Sequence, residues 1–137
     1  MPNTDLKAVT RRFYDDLISR GDLELLDELV HDDFIEHEEF PGLPPGKEGL
    51  RTFVTLMRDA FPDLDVAIED MVAEGDKVAS RVRFSGTHRG EFMGIPPTER
   101  KIDVAVIDIV QYRDGKASHH WGLTDQMAMM KQLGVGG

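Results

Sequence analysis

The chain has 137 residues, no cysteine, and a formal net charge of -10 from 26 acidic and 16 basic residues. That length supports one domain, read over residues 1–137, whose single core buries roughly two thirds of the unfolded surface. The charge argues against nucleic acid and anionic membrane as partners, since both need a basic patch, and the missing thiols exclude disulfides, thiolate catalysis and thiolate metal sites.

Residues 1–7 are polar and lack an apolar h-region, and no stretch nears about 18 consecutive apolar residues, so a cytoplasmic protein is expected. Leu6, Val9, Phe13 and Leu17 recur at helical spacing, with Asn3 or Thr4 placed to cap and Gly21 to terminate. Asp22 can cap a shorter helix through Leu25, Leu26 and Leu29 that ends near His31. Residues 33–37 read as a short strand, and residues 40–46, with three prolines and two glycines, as a loop. Leu50, Phe53, Val54, Met57 and Phe61 mark a third helix, which Pro62 stops.

The apolar period then changes from helical to two. Leu64, Val66, Ile68 and Val72 form one strand face, residues 74–76 a turn, and Val78, Val82 and Phe84 a second strand running toward His88. In the loop of residues 89–99, Phe92, Met93 and Ile95 are too apolar for a solvated connection, so it is expected to fold over a cavity. A long strand follows over residues 100–112, then an Asp-Gly turn, a strand through Trp121, and a last helix capped by Asp125 and closed by Gly134. Helices first and a meander afterwards predict an α+β domain in which a curved antiparallel sheet wraps the N-terminal helices, its concave side forming a cleft.

The long strand places an acid inside its apolar parity: Ile102, Val104, Val106, Asp108, Val110. A buried carboxylate is costly unless paired or used. If Asp114 and Gly115 form a two-residue turn, Asp108 lies opposite Trp121; if residues 113–115 form a three-residue loop with Gly115 left-handed, it lies opposite His120. The second register is preferred, because it gives the acid a partner, and the pair is either catalytic or structural. The other parity, Ala105, Ile107 and Ile109, is also apolar, which together with Trp121 predicts a homodimer through the outer sheet face.

Residues 33–37, Gly86-Thr87-His88 through Pro96-Pro97-Thr98, Asp114-Gly115-Lys116 and the closing His120-Trp121 resemble the SnoaL-like polyketide cyclase family, within the nuclear transport factor two superfamily of cone-shaped α+β barrels. The resemblance spans nearly the whole chain. It implies an intramolecular aldol closure without cofactor, using an Asp on the last strand as acid/base catalyst and a His on the strand before it. Counted without gaps from Asp114, those two positions hold Gly122 and Asp108 here. The acid and imidazole have exchanged strands, as Asp108 and His120, and Asp125 is the only acid left at the strand end. Either the role has moved to Asp108, or the activity of the characterised cyclases is absent.

Asp108 with His120 is therefore the leading catalytic pair, with Asp125 either a helix cap or a reserve catalyst. Glu36 and His37 stand near the open end of the cone, as substrate contacts or as a solvated strand end. His88 follows the apolar parity at what is a cavity mouth in the family, to touch substrate or to anchor its loop. Phe92 and Trp121 complete the expected substrate contacts, although Trp121 carries outer-face parity in the preferred register. No His-x-x-x-His or similar spacing supports a metal, no Gly-x-Ser-x-Gly elbow a nucleophile, and no glycine-rich strand-to-helix turn a phosphate. The expected function is a cofactor-independent cyclase, isomerase or lyase acting by proton transfer on a mostly apolar, carbonyl-bearing small molecule. A non-catalytic binding module is the alternative, and epoxide-hydrolase-type water addition the third; the latter wants two acids and an inward arginine.

Overall fold

A computed structural model describes residues 6–38 and 42–135; Asn3, Thr4 and the first two residues of the loop 40–46, named above, lie outside the described residues. The first helix begins as α1 (Leu6–Arg12) and continues as a π-helical turn (Phe13–Ser19). A 3-10 turn (Leu23–Leu25) leads into α2 (Leu26–Leu29), β1 (Val30–Glu36) and α3 (Gly46–Ala60). Then come β2 (Asp65–Glu74), β3 (Lys77–Thr87), β4 (Lys101–Arg113), β5 (Lys116–Thr124) and α4 (Gln126–Leu133).

The five strands form one sheet in the order β1-β5-β4-β3-β2. The last four make the expected antiparallel meander, whereas β1 joins its far edge parallel to β5. Chain order alone carries no signal for that pairing, because α3 and three strands separate β1 from its partner in sequence. β1 also starts at Val30, earlier than expected, because α2 closes after a single turn and its last apolar residue, Leu29, already packs in the core. Asp22 makes no side-chain cap bond, while Asp125 does: its Oδ1 accepts from the Ala128 N–H (3.0 Å), and Gly134 ends α4 in the left-handed region.

β4 alternates as its sequence predicts. Ile102, Val104, Val106, Asp108 and Val110 are buried on the concave side against the helices, and Asp103, Ile107 and Ile109 are exposed on the outer side. Phe13, Tyr14, Leu17, Val54 and Met57 cover the concave face from the first and third helices. Outside, the pairs Ile107↔Leu123 and Ile109↔Trp121 set four large apolar side chains side by side, with Ile107 48 % and Leu123 79 % exposed.

The β4–β5 register differs from both expected versions. The turn is the two-residue one, with Arg113↔Lys116, and both Asp114 and Gly115 have positive φ, as a type I′ hairpin turn requires. A bulge follows: Tyr112 pairs with Ala117 but Gln111 with His119, leaving Ser118 as the extra residue with its hydroxyl donating to the Gln111 carbonyl. One inserted residue reverses the facing of everything after it. Asp108 therefore lies opposite Gly122, not His120 or Trp121, and His120, opposite Val110, shares the concave side with it.

The segment of residues 89–99 is tied to the end of α3. Gly90 N–H donates to the Ala60 carbonyl (3.1 Å), and a Cβ at Gly90 would collide with the Asp59 carbonyl oxygen. Gly90→Ala should lower stability by about 1–3 kcal/mol through this overpacking, seen as a fall in the urea midpoint with an unchanged slope.

Candidate functional site

The helices do not fill the cone. A cavity of about 200 Å³ remains between α3, the first helix, the loop carrying Phe92 and the concave side of the sheet, against the roughly 10–15 Å³ that one water needs. Its body is apolar: Phe13, Leu50, Phe53, Met57, Phe84 and Val106 are among its walls. Its polar lining is concentrated where β1, β4 and β5 meet, at Glu36, Glu38, Asp108, His120 and Thr124. Among the described residues that line it there is no lysine or arginine.

His120 is the hub. Its Nε2 donates to Asp108 Oδ1 (2.9 Å), and its Nδ1 bonds Glu36 Oε2 from the adjacent position on β1. Burial alone would push the imidazole down, but the hydrogen bonds to Asp108 and Glu36, and their charges, outweigh it and raise His120 to about 10. It is an imidazolium at neutral pH. Asp108 receives a second donor, the Tyr14 hydroxyl, on Oδ2 (2.6 Å). Burial, and then the Asp108 carboxylate beside it, push the Tyr14 phenol well above its ordinary value, so it stays a donor. Tyr14 is aimed by the π-helical turn, a form of helix found often at functional sites.

Glu38 stands just past the end of β1. Its backbone N–H donates to Glu36 Oε2 (3.0 Å) and its Oε2 accepts from the Thr124 hydroxyl (3.2 Å). Glu36, Glu38 and His120 offer ligand atoms within 4.8 Å of one another, a donor set that could in principle hold a cation; both ring nitrogens of His120, however, are already taken by carboxylates.

The expected site residues divide by facing. Asp108, His120, Glu36 and Phe92 all reach the cavity. His37 and Trp121 do not. They lie on the outer side, because Glu36 faces inward and strand alternation turns His37 outward, while the bulge fixes Trp121 opposite the exposed Ile109. There the two rings stack at 4.6 Å, His37 Nε2 meets His119 Nδ1 (2.9 Å), and the Lys77 ammonium sits 5.7 Å from the indole. His88 is fully buried away from the cavity and anchors the loop of residues 89–99: its Nδ1 accepts from the Thr98 N–H (3.2 Å), and its ring packs on Phe61. Asp125 caps α4 and does not line the cavity.

Sequence reasoning missed Tyr14, Glu38 and Thr124. The parity that brings Glu36 inward also predicts Glu38 two residues later, had the strand been carried one step further. Tyr14 left no comparable signal, since an ideal helix gives no hint of a π turn. Arg81 and Arg83, on the strand parity opposite the buried Val82, face outward and pair with Glu69 and Asp103, so they do not serve the water-addition reading.

The profile of the SnoaL-like polyketide cyclase family matches residues 8–133. The chain is similar to nogalonic acid methyl ester cyclase of Streptomyces nogalater, 26% identical over 117 residues that cover 83% of this chain and 87% of the relative. It is likewise similar to the aklanonic acid methyl ester cyclase DauD of Streptomyces sp. strain C5, 29% identical over 112 residues, 80% of this chain and 67% of the relative. Among solved structures, TsrD from Streptomyces laurentii superposes with a TM-score of 0.82 at 31% identity, covering 97% of this chain and 95% of that one.

The charged imidazole has a measurable consequence. His120 is raised from 6.5 to about 10 in the folded state, so the folded protein binds the extra proton between those values and loses that stabilisation as pH rises. The stability advantage of the wild type over His120→Asn should be complete below pH 6.5 and shrink steadily toward about pH 10. Urea unfolding at a series of pH values measures it, and a difference that stays flat across this window would mean a neutral imidazole.

Proposed function

As the chain belongs to the SnoaL-like polyketide cyclase family, we propose that it closes a ring in a mostly apolar, carbonyl-bearing small molecule by proton transfer alone, without a cofactor. The observation that carries this reading is the Asp108–His120–Glu36 chain at the polar end of an otherwise apolar cavity. An aldol closure needs a base for the carbon next to a carbonyl and a positive charge near the enolate that forms. Asp108, whose side chain lines the cavity, is the base. His120, as an imidazolium hydrogen-bonded on both sides, cannot swing away and supplies the charge at low cost in reorganisation. Glu36 orients the ring and offsets its charge. Anionic ligands meet carboxylates at the polar end and no lysine or arginine in the described lining, so a neutral substrate is favoured; the methyl esters on which the named relatives act are of that kind.

The fold would act as a homodimer through the outer sheet face. Ile107, Ile109, Trp121 and Leu123 form a continuous exposed apolar patch, of the sort that monomers seldom leave open. Light scattering at micromolar concentration should give twice the chain mass, and Ile107→Glu should reduce it to one.

The catalytic test compares two acids, with aklanonic acid methyl ester as the substrate. Asp108→Asn keeps shape and removes the proton acceptor, so turnover should fall by about 10² or more. Asp125→Ala, which removes both the carboxylate and the cap, should leave turnover near wild type and cost about 1 kcal/mol of stability. The reverse order would place the chemistry at the end of β5 and sink the assignment.

A further inference from the structure

We propose that Glu38 is a second catalytic residue, the proton donor to the substrate oxygen, and that it occupies the space which a side chain at position 122 would otherwise fill. The proposal rests on the cyclase reading above and adds to it the missing acid.

Position 122 is where the contacts converge. A Cβ built on Gly122 would lie 2.5 Å from Glu38 Oε1, 2.5 Å from Asp108 Oδ1 and 2.8 Å from His120 Cε1. Gly122 pairs with Asp108 across the hairpin, so the glycine opens a hole in the concave face, and two carboxyl groups, one from β4 and one from just beyond β1, reach into that hole. Any β-carbon would evict one of them. Glu38 is aimed there by three restraints: the facing it shares with Glu36, the bond from its own N–H to Glu36 Oε2, and the Thr124 hydroxyl on its Oε2. Oε1 is left pointing at the hole and at the cavity that Glu38 lines.

The surroundings of the two carboxyl groups differ in the way acid and base require. Asp108 accepts from two side-chain donors, the Tyr14 hydroxyl and the His120 ring. Glu38 accepts from one side-chain hydroxyl, and no cation lines the cavity beside it among the described residues except the His120 ring. Burial, which the nearby His120 opposes and the Asp108 carboxylate reinforces, raises Glu38 above the ordinary range, in the direction that favours a protonated acid.

The step balances. Asp108 carboxylate takes the proton from the carbon next to the first carbonyl; that carbon forms a bond to the second carbonyl carbon. The π pair of the second carbonyl moves to its oxygen, which receives the Glu38 proton. The product is an isomer of the substrate. The proton now on Asp108 is lost to solvent and another is regained by Glu38, so nothing is consumed.

Glu38→Gln keeps the size and the Thr124 contact but has no proton to give. With aklanonic acid methyl ester as probe, kcat should fall by about 10²-fold or more with KM within about twofold. The fall in rate with rising pH that belongs to the acid should vanish, leaving only the later fall that belongs to His120, and Glu38→Asp should recover part of the rate. A pH profile that keeps both falls, or a loss confined to KM, overturns the donor role. If the wild type does not turn over this ester, the cyclase reading fails on its own terms, and carbon-13 NMR of the Glu38 carboxyl, assigned by its absence in Glu38→Gln, still decides the donor: a carboxyl that titrates above the other glutamates upholds it, and one that titrates together with them overturns it.

Discussion

The structure turns on burying one carboxylate. Taking Asp108 out of water costs several kcal/mol unless charge and hydrogen bonds replace the lost solvation, and three departures from regular geometry combine to replace it. A π-helical turn brings the Tyr14 hydroxyl down to one oxygen. A bulge at Ser118 turns His120 inward to the other. A glycine on the opposing strand leaves room for the carboxylate itself and for the His120 ring. Each device would weaken an ordinary helix or sheet, and they meet at a single side chain. Local irregularity gathered in one place, around a charge the core does not need, is what the proposed acid-base role accounts for; a core built for stability alone would hold an aliphatic residue at 108.

The same irregularities keep the cavity open. A helix and sheet in close contact bury their apolar faces against each other, yet here Phe13, Phe53 and Met57 from the helices and Phe84 and Val106 from the sheet face a shared void. A gap this wide costs the two layers the direct dispersion contacts they would otherwise make with each other. The charged cluster at one end and the anchored loop with Phe92 at the other act as spacers that hold the layers apart. His88 contributes by fixing that loop: its buried ring braces Phe61 and Thr98. Of the two roles that sequence reading left open for His88, substrate contact and loop anchor, the anchor is the one it fills.

Element identity and layer order were legible in the chain, because periodicity and turn chemistry determine them. The concave parity of β4, the Asp125 cap and the meander all follow from residue spacing. Register was not legible beyond the turn. The Asp-Gly turn was open to two readings, and the one that forms is followed by a bulge whose cause, a small buried Ser118 bonded back to Gln111, is tertiary. Two errors of register, turn type and bulge, left Asp108 and His120 on one side all the same, since side-chain facing depends only on whether the net shift is odd or even. Glu38 and Tyr14 escaped notice for different reasons: the first lay one step past an assumed strand end, the second behind a helical irregularity with no sequence signature.

Gly122 shows why position in space is the better guide to chemistry than position in the chain. Read along the strand, it is a vacancy where the family resemblance implies an acid. In three dimensions the vacancy is filled: carboxyl oxygens from β4 and from just beyond β1 lie where a side chain on β5 would reach. Only the point at which a proton must be taken or delivered is constrained by the substrate; which strand supplies the oxygen is constrained merely by which backbone passes close enough. In a sheet, three strands pass within one side-chain length of any interior point, so an acid can change strands if its old position shrinks. Glycine, the smallest residue, is the one that leaves position 122 open to carboxyl groups from its neighbours, and it is the one present.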